Sequence, residues 1–273
     1  MIDLNFKYQE AIDYLKSEAP FRPEIAIVLG SGLGNFASST EKVKSIDTSN
    51  IPKYPTSSVE GHSRLIHFSN IKNKKILIFQ GRLHFYEGYE LSDCVLPVLL
   101  SKKLGCNKII FTNAAGGVNK KFSRGDLMLV ESFNSINIKN ELTKLIGISS
   151  LTAKNNFVNC PSREMNRIII LTAAEKKIKL QTGVYFYSKG PNYETPAEIK
   201  MIERFGGDAA GMSTVHEAVF ASYSNMEVAI ISCITNMAAG ISHVKLSHSE
   251  VTETANQTAA KFSILLKSAV SRL

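Results

Sequence analysis

Short runs of consecutive aliphatic and β-branched residues alternate along the chain with longer stretches whose apolar positions recur at helical spacing. IAIVL (25–29), KILIFQ (75–80), KIIFTNAA (108–115), DLMLVESF (126–133), TGVYFYS (182–188) and EVAIISCIT (227–235) read as strands. Several have the unbroken apolar character of strands buried on both faces. Helical periodicity and boundary residues mark 4–18, 91–104, 163–178, 196–205, 214–225 and 249–270. Strand and helix alternate, which predicts an α/β fold. No Pro-, Ser- or Gly-rich linker interrupts the 273 residues, of which 44% are hydrophobic, so residues 1–273 are expected to form one domain around a large core.

Four of these strands end in polar or glycine-rich clusters: GSG after the first, then QGRLH, TNAAGG and TNMAAG. Ligands of open α/β sheets gather outside the carboxyl ends of strands, where loops and helix N-termini converge, so the clusters predict one composite site. The first, VLGSGLGNFA (28–37), invites comparison with a dinucleotide fingerprint. Asn35 stands where G-x-G-x-x-G needs its third glycine, although Asp47 could imitate the distal ribose-binding acid. A P-loop is excluded, because no Gly-Lys-Ser/Thr follows. Two readings remain open on this stretch alone: a nest of N–H groups with the Ser31 hydroxyl around an oxyanion, or a tight bend that uses glycine's tolerance of positive φ.

Charge and composition narrow the partners. Lys and Arg exceed Asp and Glu by 32 to 24, a net +8, but the lysines are dispersed and lack the interleaved aromatics of single-strand binders. A solvated basic surface is expected, without nucleic acid. No apolar run approaches the roughly 20 residues that cross a bilayer, so no membrane partner is expected. The first twenty residues suit an amphipathic helix and not a secretory signal. Cys94, Cys106, Cys160 and Cys233 are scattered, without metal-ligand spacing or a disulfide framework, and no metal is expected. A cytoplasmic location fits these features.

Taken in order, GSGLG (30–34), GRLHFYEGY (81–89), TNAAGGVN (112–119), GPNYETPAE (190–198), GMSTVHE (211–217) and TNMAAG (235–240) make a specific combination. It resembles the trimeric branch of the purine nucleoside phosphorylases, a branch that also holds methylthioadenosine phosphorylases. The resemblance spans about residues 20–250. It implies a single-domain nucleoside phosphorylase fold, with a mixed, curved, barrel-like sheet surrounded by helices. It also implies a pentosyltransferase of purine salvage, in which inorganic phosphate is a co-substrate, no cofactor is needed and the active unit is a homotrimer.

Residue by residue, the resemblance places phosphate on Ser31, His62, Arg82, His84, the Ala114 N–H and Ser213. Arg82 and His84 lie two apart and project to one side of an extended segment, and Arg can present a two-pronged contact to phosphate oxygens. Taken singly, they would read as a surface arginine and a satisfied histidine. The purine falls to Tyr193, Glu194 and Asn236, since a carboxylate accepts N1–H and an amide addresses N7 and O6 together. Glu194, Asn236 and His84 are the expected catalytic groups. On local sequence alone, Glu194 could simply begin a helix and Asn236 could cap a turn. Tyr86, Met212 and His248 match residues that line the ribose, with core filling and an exposed pre-helical position as the plain alternatives for the last two.

The chain departs from the family in three places. GHSRL (61–65) is one glycine short of the usual GHxGRL, which displaces His62. TVHE replaces TVPE, so His216 stands at a helix start, either as an extra donor near the site or as an exposed substitution. Between 134 and 166 the usual segments are absent, and Phe157 is the candidate to cover a neighbouring subunit's ribose. Inosine and guanosine are the expected substrates, because a methylthioadenosine-specific relative would usually carry an acid at position 236. That sister activity, a water-using hydrolase and a non-catalytic nucleotide-binding module are the rival readings.

Overall fold

The computed structural model describes residues 3–56, 63–241 and 248–273, without the side chains of 248–252. The amino-terminal helical pattern divides at Tyr8 into α1 (Leu4–Lys7) and α2 (Gln9–Glu18), and β1 (Ile25–Leu29) follows. An edge meander of β2 (Glu41–Asp47), β3 (Leu65–Ile71) and β4 (Lys74–Gln80) leads to α3 (Leu91–Cys94) and α4 (Leu96–Leu104), which break the expected 91–104 helix at Val95. Next come β5 (Lys108–Gly117), β6 (Leu127–Asn134), α5 (Lys139–Ile146), α6 (Leu151–Val158), α7 (Arg163–Glu175) and β7 (Leu180–Tyr187). The last third holds α8 (Pro196–Arg204), β8 (Ala209–Gly211), α9 (Val215–Tyr223), β9 (Glu227–Met237) and α10 (His248–Val270).

All six strands read from the sequence are present, and β2, β3 and β8 are additional. Their absence from the hydrophobic pattern has local causes. EKVKSID of β2 is mostly exposed and carries charge in place of an apolar face, β3 is interrupted by His67 and Ser69, and β8 has three residues.

Strand order is β2-β3-β4-β1-β5-β8-β7-β6-β9, and β9 returns to pair with β5. The five strands β5, β8, β7, β6 and β9 therefore close a ring, from which β1, β4, β3 and β2 extend as a wing. Parallel pairs (β1 with β4 and β5, β5 with β9) mix with antiparallel ones (β3 with β4, β5 with β8). This is a single α/β domain with the mixed barrel-like sheet expected from the motifs.

The unbroken apolar run of β1 follows from burial on both faces. Ala26 and Val28 pack toward α2 and α4 with Ile12, Leu15 and Leu100, whereas Ile25, Ile27 and Leu29 pack toward α7 and α10 with Met165, Ile169, Phe262 and Leu265. Alternate side chains thus serve two cores, as strand period two requires.

Strand β5 sets the position of the site. It pairs with β1 only from Lys108 to Phe111, and then turns away to meet β8 at Gly116 and Gly117. Where the two part, the Thr112 hydroxyl replaces the ladder: Gly30 N donates to its Oγ1 at 3.1 Å, and the hydroxyl donates to Val28 O at 3.3 Å. Gly30 fits there because it lacks a side chain. A Cβ would stand 2.6 Å from Thr112 O and 2.7 Å from Asn113 Cα, both backbone atoms. Gly30→Ala is accordingly expected to cost about 1–3 kcal/mol in urea unfolding. Gly34→Ala should cost much less, because its nearest contact is the movable Gln80 amide at 3.3 Å. Equal losses for the two variants would contradict this account.

Candidate active site

The divergence of β5 from β1 opens a cavity at the ends of these strands. Its wall takes Ser31 from the turn after β1, and Arg82, His84 and Tyr86 from the segment after β4. Ala114 comes from β5, Met212 and Ser213 from the turn between β8 and α9, and Asn236 from the end of β9. Tyr193 and Glu194 complete it from the segment before α8. The four strand-end clusters read from the sequence therefore meet around one space. His62 lies outside the described residues, and of His248 only its backbone position at the start of α10 is described.

The glycine turn leads into a 3-10 helix (Gly34–Ser39) instead of an α-helix, and Gly32 takes φ 74°. Gln80 anchors it, donating from Nε2 to Gly34 O at 3.1 Å while its Oε1 accepts from His67 Nε2 at 2.8 Å. Asp47 lies apart, accepting from Ser49 N and Oγ at 2.8 and 2.7 Å, so the dinucleotide comparison loses its distal acid.

Arg82 is 4% exposed. Its Nη1 donates to Ser213 Oγ at 3.0 Å and Thr214 Oγ1 at 2.9 Å, and Nε stands 3.4 Å from Glu217 Oε2. The last distance makes an ion pair without a hydrogen bond. Burial pushes the Glu217 carboxyl up, while Arg82 and the Thr214 N–H act in the opposite sense. With Nη1 committed to two hydroxyls, the two-pronged fork expected for phosphate is partly spent on the protein.

His84 has its Nδ1 3.0 Å from Glu87 Oε1, and the same carboxylate oxygen accepts the His84 N–H at 2.8 Å. With Nδ1–H directed at Glu87, Nε2 can donate to an anion only when the ring is protonated; otherwise it is an acceptor. The His84 ring also stacks on Tyr86, centroids 4.8 Å apart, so the two rings form one continuous piece of the wall.

At the opposite end the register of β5 and β9 shifts. Ala115 faces Ile234 but Gly116 faces Asn236, leaving Thr235 as the extra residue of a bulge. Bulges re-aim side chains beside sites. Asn236 is 8% exposed, and its Oδ1 accepts from Thr235 Oγ1 at 3.0 Å. Glu194 Oε1 is buried in this wall and has no hydrogen-bond partner among the described residues. Tyr193 remains exposed beside it.

Sequence reasoning missed Thr214, Glu217 and Thr235, which hold the predicted residues in place. Thr214 and Glu217 carry a recognisable T-x-x-E capping pattern, the only signal that could have found them. Phe157 does not line the cavity. Its ring is partly buried in its own chain, 6.2 Å from Phe133 and 6.0 Å from Tyr223.

His216 corrects the sequence reading. It is neither exposed nor a wall of the cavity: it is fully buried, edge-on to Tyr187 at 5.8 Å, with no hydrogen bond at either ring nitrogen among the described residues. Burial first, then the positive Arg82 and His84, hold its pKa down to about 3. Below the ordinary histidine value of about 6.5, the unfolded chain binds a proton that the folded one refuses, so stability falls as pH drops. By pH 5 this histidine is expected to remove about 2 kcal/mol. Urea unfolding from pH 7 to 5 should show that loss in the wild type and a shallower one in His216→Pro, which restores the family's usual residue. Identical slopes would remove His216 as the cause.

Among the described residues no group of three His, Cys, Asp or Glu is placed to hold a metal ion, and no helix is long and apolar enough to cross a membrane.

Residues 24–271 match the family model of the phosphorylase superfamily, and the chain belongs to it. The chain is similar to purine nucleoside phosphorylase 1 of Geobacillus stearothermophilus, 40% identical over 97% of each chain. It is also similar to the purine nucleoside phosphorylase of Schistosoma mansoni. The adenosine complex of that enzyme superposes with a TM-score of 0.88 at 29% identity, covering 98% of this chain and 97% of the other. Its inosine complex gives 0.88 at 28% identity, covering 100% and 98%. Within the superfamily, the chain is a member of the purine nucleoside phosphorylases.

Proposed function

We propose that the protein catalyses the reversible phosphorolysis of inosine and guanosine, and of their 2′-deoxy forms, to free purine and α-(deoxy)ribose 1-phosphate. The observation that carries the purine assignment is the Glu194 Oε1 atom, a buried acceptor without a donor among the described residues, in the wall that also holds Asn236. A 6-oxopurine supplies the N–H that such an oxygen lacks, and its O6 accepts from the Asn236 amide. The site of a sister enzyme selective for methylthioadenosine would place an acid at 236.

Phosphate would lie among Ser31, Arg82, His84, the Ala114 N–H and Ser213, below the sugar. One phosphate oxygen forms the new bond to C1′ from the face opposite the base as the C1′–N9 bond breaks, and the bonding pair leaves with the purine. Charge separates in the transition state: positive on the ribose, where the phosphate dianion favours it, and negative on the purine, where Asn236 and Glu194 receive it. No covalent enzyme intermediate is needed, and direct displacement inverts the anomeric carbon. Tyr86, Met212 and His248 would line the ribose. The reaction uses phosphate as co-substrate and no cofactor or metal.

The active unit we propose is a cytoplasmic homotrimer in which Phe157 contributes to a neighbouring ribose site. A fully active monomer in light scattering would exclude that shared site. Base release from inosine, guanosine, adenosine and methylthioadenosine should be fastest for the first two and depend on phosphate. Faster turnover of methylthioadenosine would favour the sister activity, and release without phosphate would favour a hydrolase. Asn236→Ala is expected to lower kcat about 100-fold or more, in line with loss of a transition-state donor, while the KM for phosphate stays within about threefold. An unchanged chemical rate would refute its leaving-group role.

A further inference from the structure

Thr214 joins β8 to α9 with φ 76° and ψ −45°, and Val215 N donates to Ser213 O at 2.8 Å across it. This is the geometry of the rare classic γ-turn, and a β-branched residue there is strained. Such outliers persist when the surroundings over-determine them. Here the Thr214 N–H donates to Glu217 Oε2 at 3.1 Å, and its Oγ1 accepts from Arg82 Nη1 at 2.9 Å and Asn113 Nδ2 at 3.0 Å. Asn113 presents its Nδ2 to this oxygen, and its own Oδ1 is buried without a hydrogen bond among the described residues.

Hydrogen-bond accounting then fixes a direction. A hydroxyl has two acceptor sites and one hydrogen. Both acceptor sites of Thr214 Oγ1 are filled by N–H donors, so in its 3.1 Å contact with Ser213 Oγ the threonine is the donor. Ser213 Oγ also accepts from Arg82 Nη1 at 3.0 Å, which fills both of its own acceptor sites. What remains to Ser213 is its single hydrogen, on the cavity wall.

We propose that Thr214 is a positioning residue for the anion: the strained turn and its three hydrogen bonds oblige Ser213 to act only as a donor toward a phosphate oxygen. The proposal rests on the phosphorolysis reading, and it deepens that reading by assigning the selection of an acceptor-only oxygen to a residue outside the cavity wall. The same network spends Arg82 Nη1 on alignment, so the arginine both orients the serine and supplies charge.

The test measures the KM for phosphate at saturating inosine and the KM for inosine at saturating phosphate. Thr214→Val keeps the shape and deletes the hydroxyl; it should raise the phosphate KM about tenfold or more and leave the inosine KM within about threefold. Thr214→Ser should restore both. Thr214→Gly suits φ 76° without strain, so it should show the same phosphate defect while offsetting part of the stability lost with the hydroxyl, which covers the case in which the valine variant misfolds. Because Thr214 acts through Ser213, Ser213→Ala/Thr214→Val should be no worse than Ser213→Ala by more than about threefold. An unchanged phosphate KM in both hydroxyl-deleted variants, failure of the serine to rescue, or multiplying defects in the double variant would overturn the proposal. Base release by the wild type without phosphate would instead sink the phosphorolysis reading, and this proposal with it.

Discussion

The site depends on one substitution of side chain for main chain. Parallel β1 and β5 would zip to their ends if every backbone group had to find a partner in the ladder. At Thr112 the side-chain hydroxyl accepts Gly30 N and donates to Val28 O, so the ladder stops without leaving those groups unpaired in the interior. Released from β1, strand β5 joins β8 and closes the ring through β9. The wedge between the departing strands is the cavity. Gly30 lets the two backbones approach this closely where they part, because a Cβ would stand 2.6 Å from Thr112 O.

A buried cation has to be held in such a wedge. Desolvating an arginine costs several kcal/mol even after relaxation, and a carboxylate beside it recovers the cost only when other hydrogen bonds satisfy both groups. Arg82 has Glu217, Thr214, Ser213 and a long contact to Val28 O at 3.4 Å for this purpose. The strain of the γ-turn, of order 1–3 kcal/mol, is the cost of bringing the two hydroxyls to the guanidinium together. At the far end the economy is reversed. Asn236 is secured by Thr235, but Glu194 Oε1 is left without a donor among the described residues. One end of the cavity therefore holds its cation with the chain's own hydroxyls and carboxylate, while the other presents a buried acceptor to a ligand.

The cavity-lining residues were legible because their chemistry is carried at strand ends. Ser31, Arg82, His84, Ala114 and Asn236 each follow or close an apolar run, and all reach the cavity. Their supports were not legible for a physical reason: Thr214, Glu217 and Thr235 do ordinary jobs in sequence terms, as a helix cap, its capping-box partner and a strand residue. Only the approach of segments more than a hundred residues apart turns Thr214 and Glu217 into an arginine clamp, and only the β5–β9 bulge re-aims the neighbouring Thr235 and Asn236. His216 shows the opposite failure. Polarity placed it at the surface or in the site, yet α9 buries it against Tyr187, where no hydrogen bond among the described residues compensates either nitrogen.

By itself the sequence determined the alternation of strand and helix, the double-sided burial of β1 and the polar residues available at the strand ends to line a cavity. Those properties reside in local periodicity and in side-chain chemistry, which a chain carries before it folds. Tertiary structure alone decided that β5 leaves β1 at Thr112, that β9 closes the ring with a bulge at Thr235, and that Thr214 adopts positive φ. Each is a compromise among buried polar groups from distant segments, and the compromise exists only once those segments have been removed from water together.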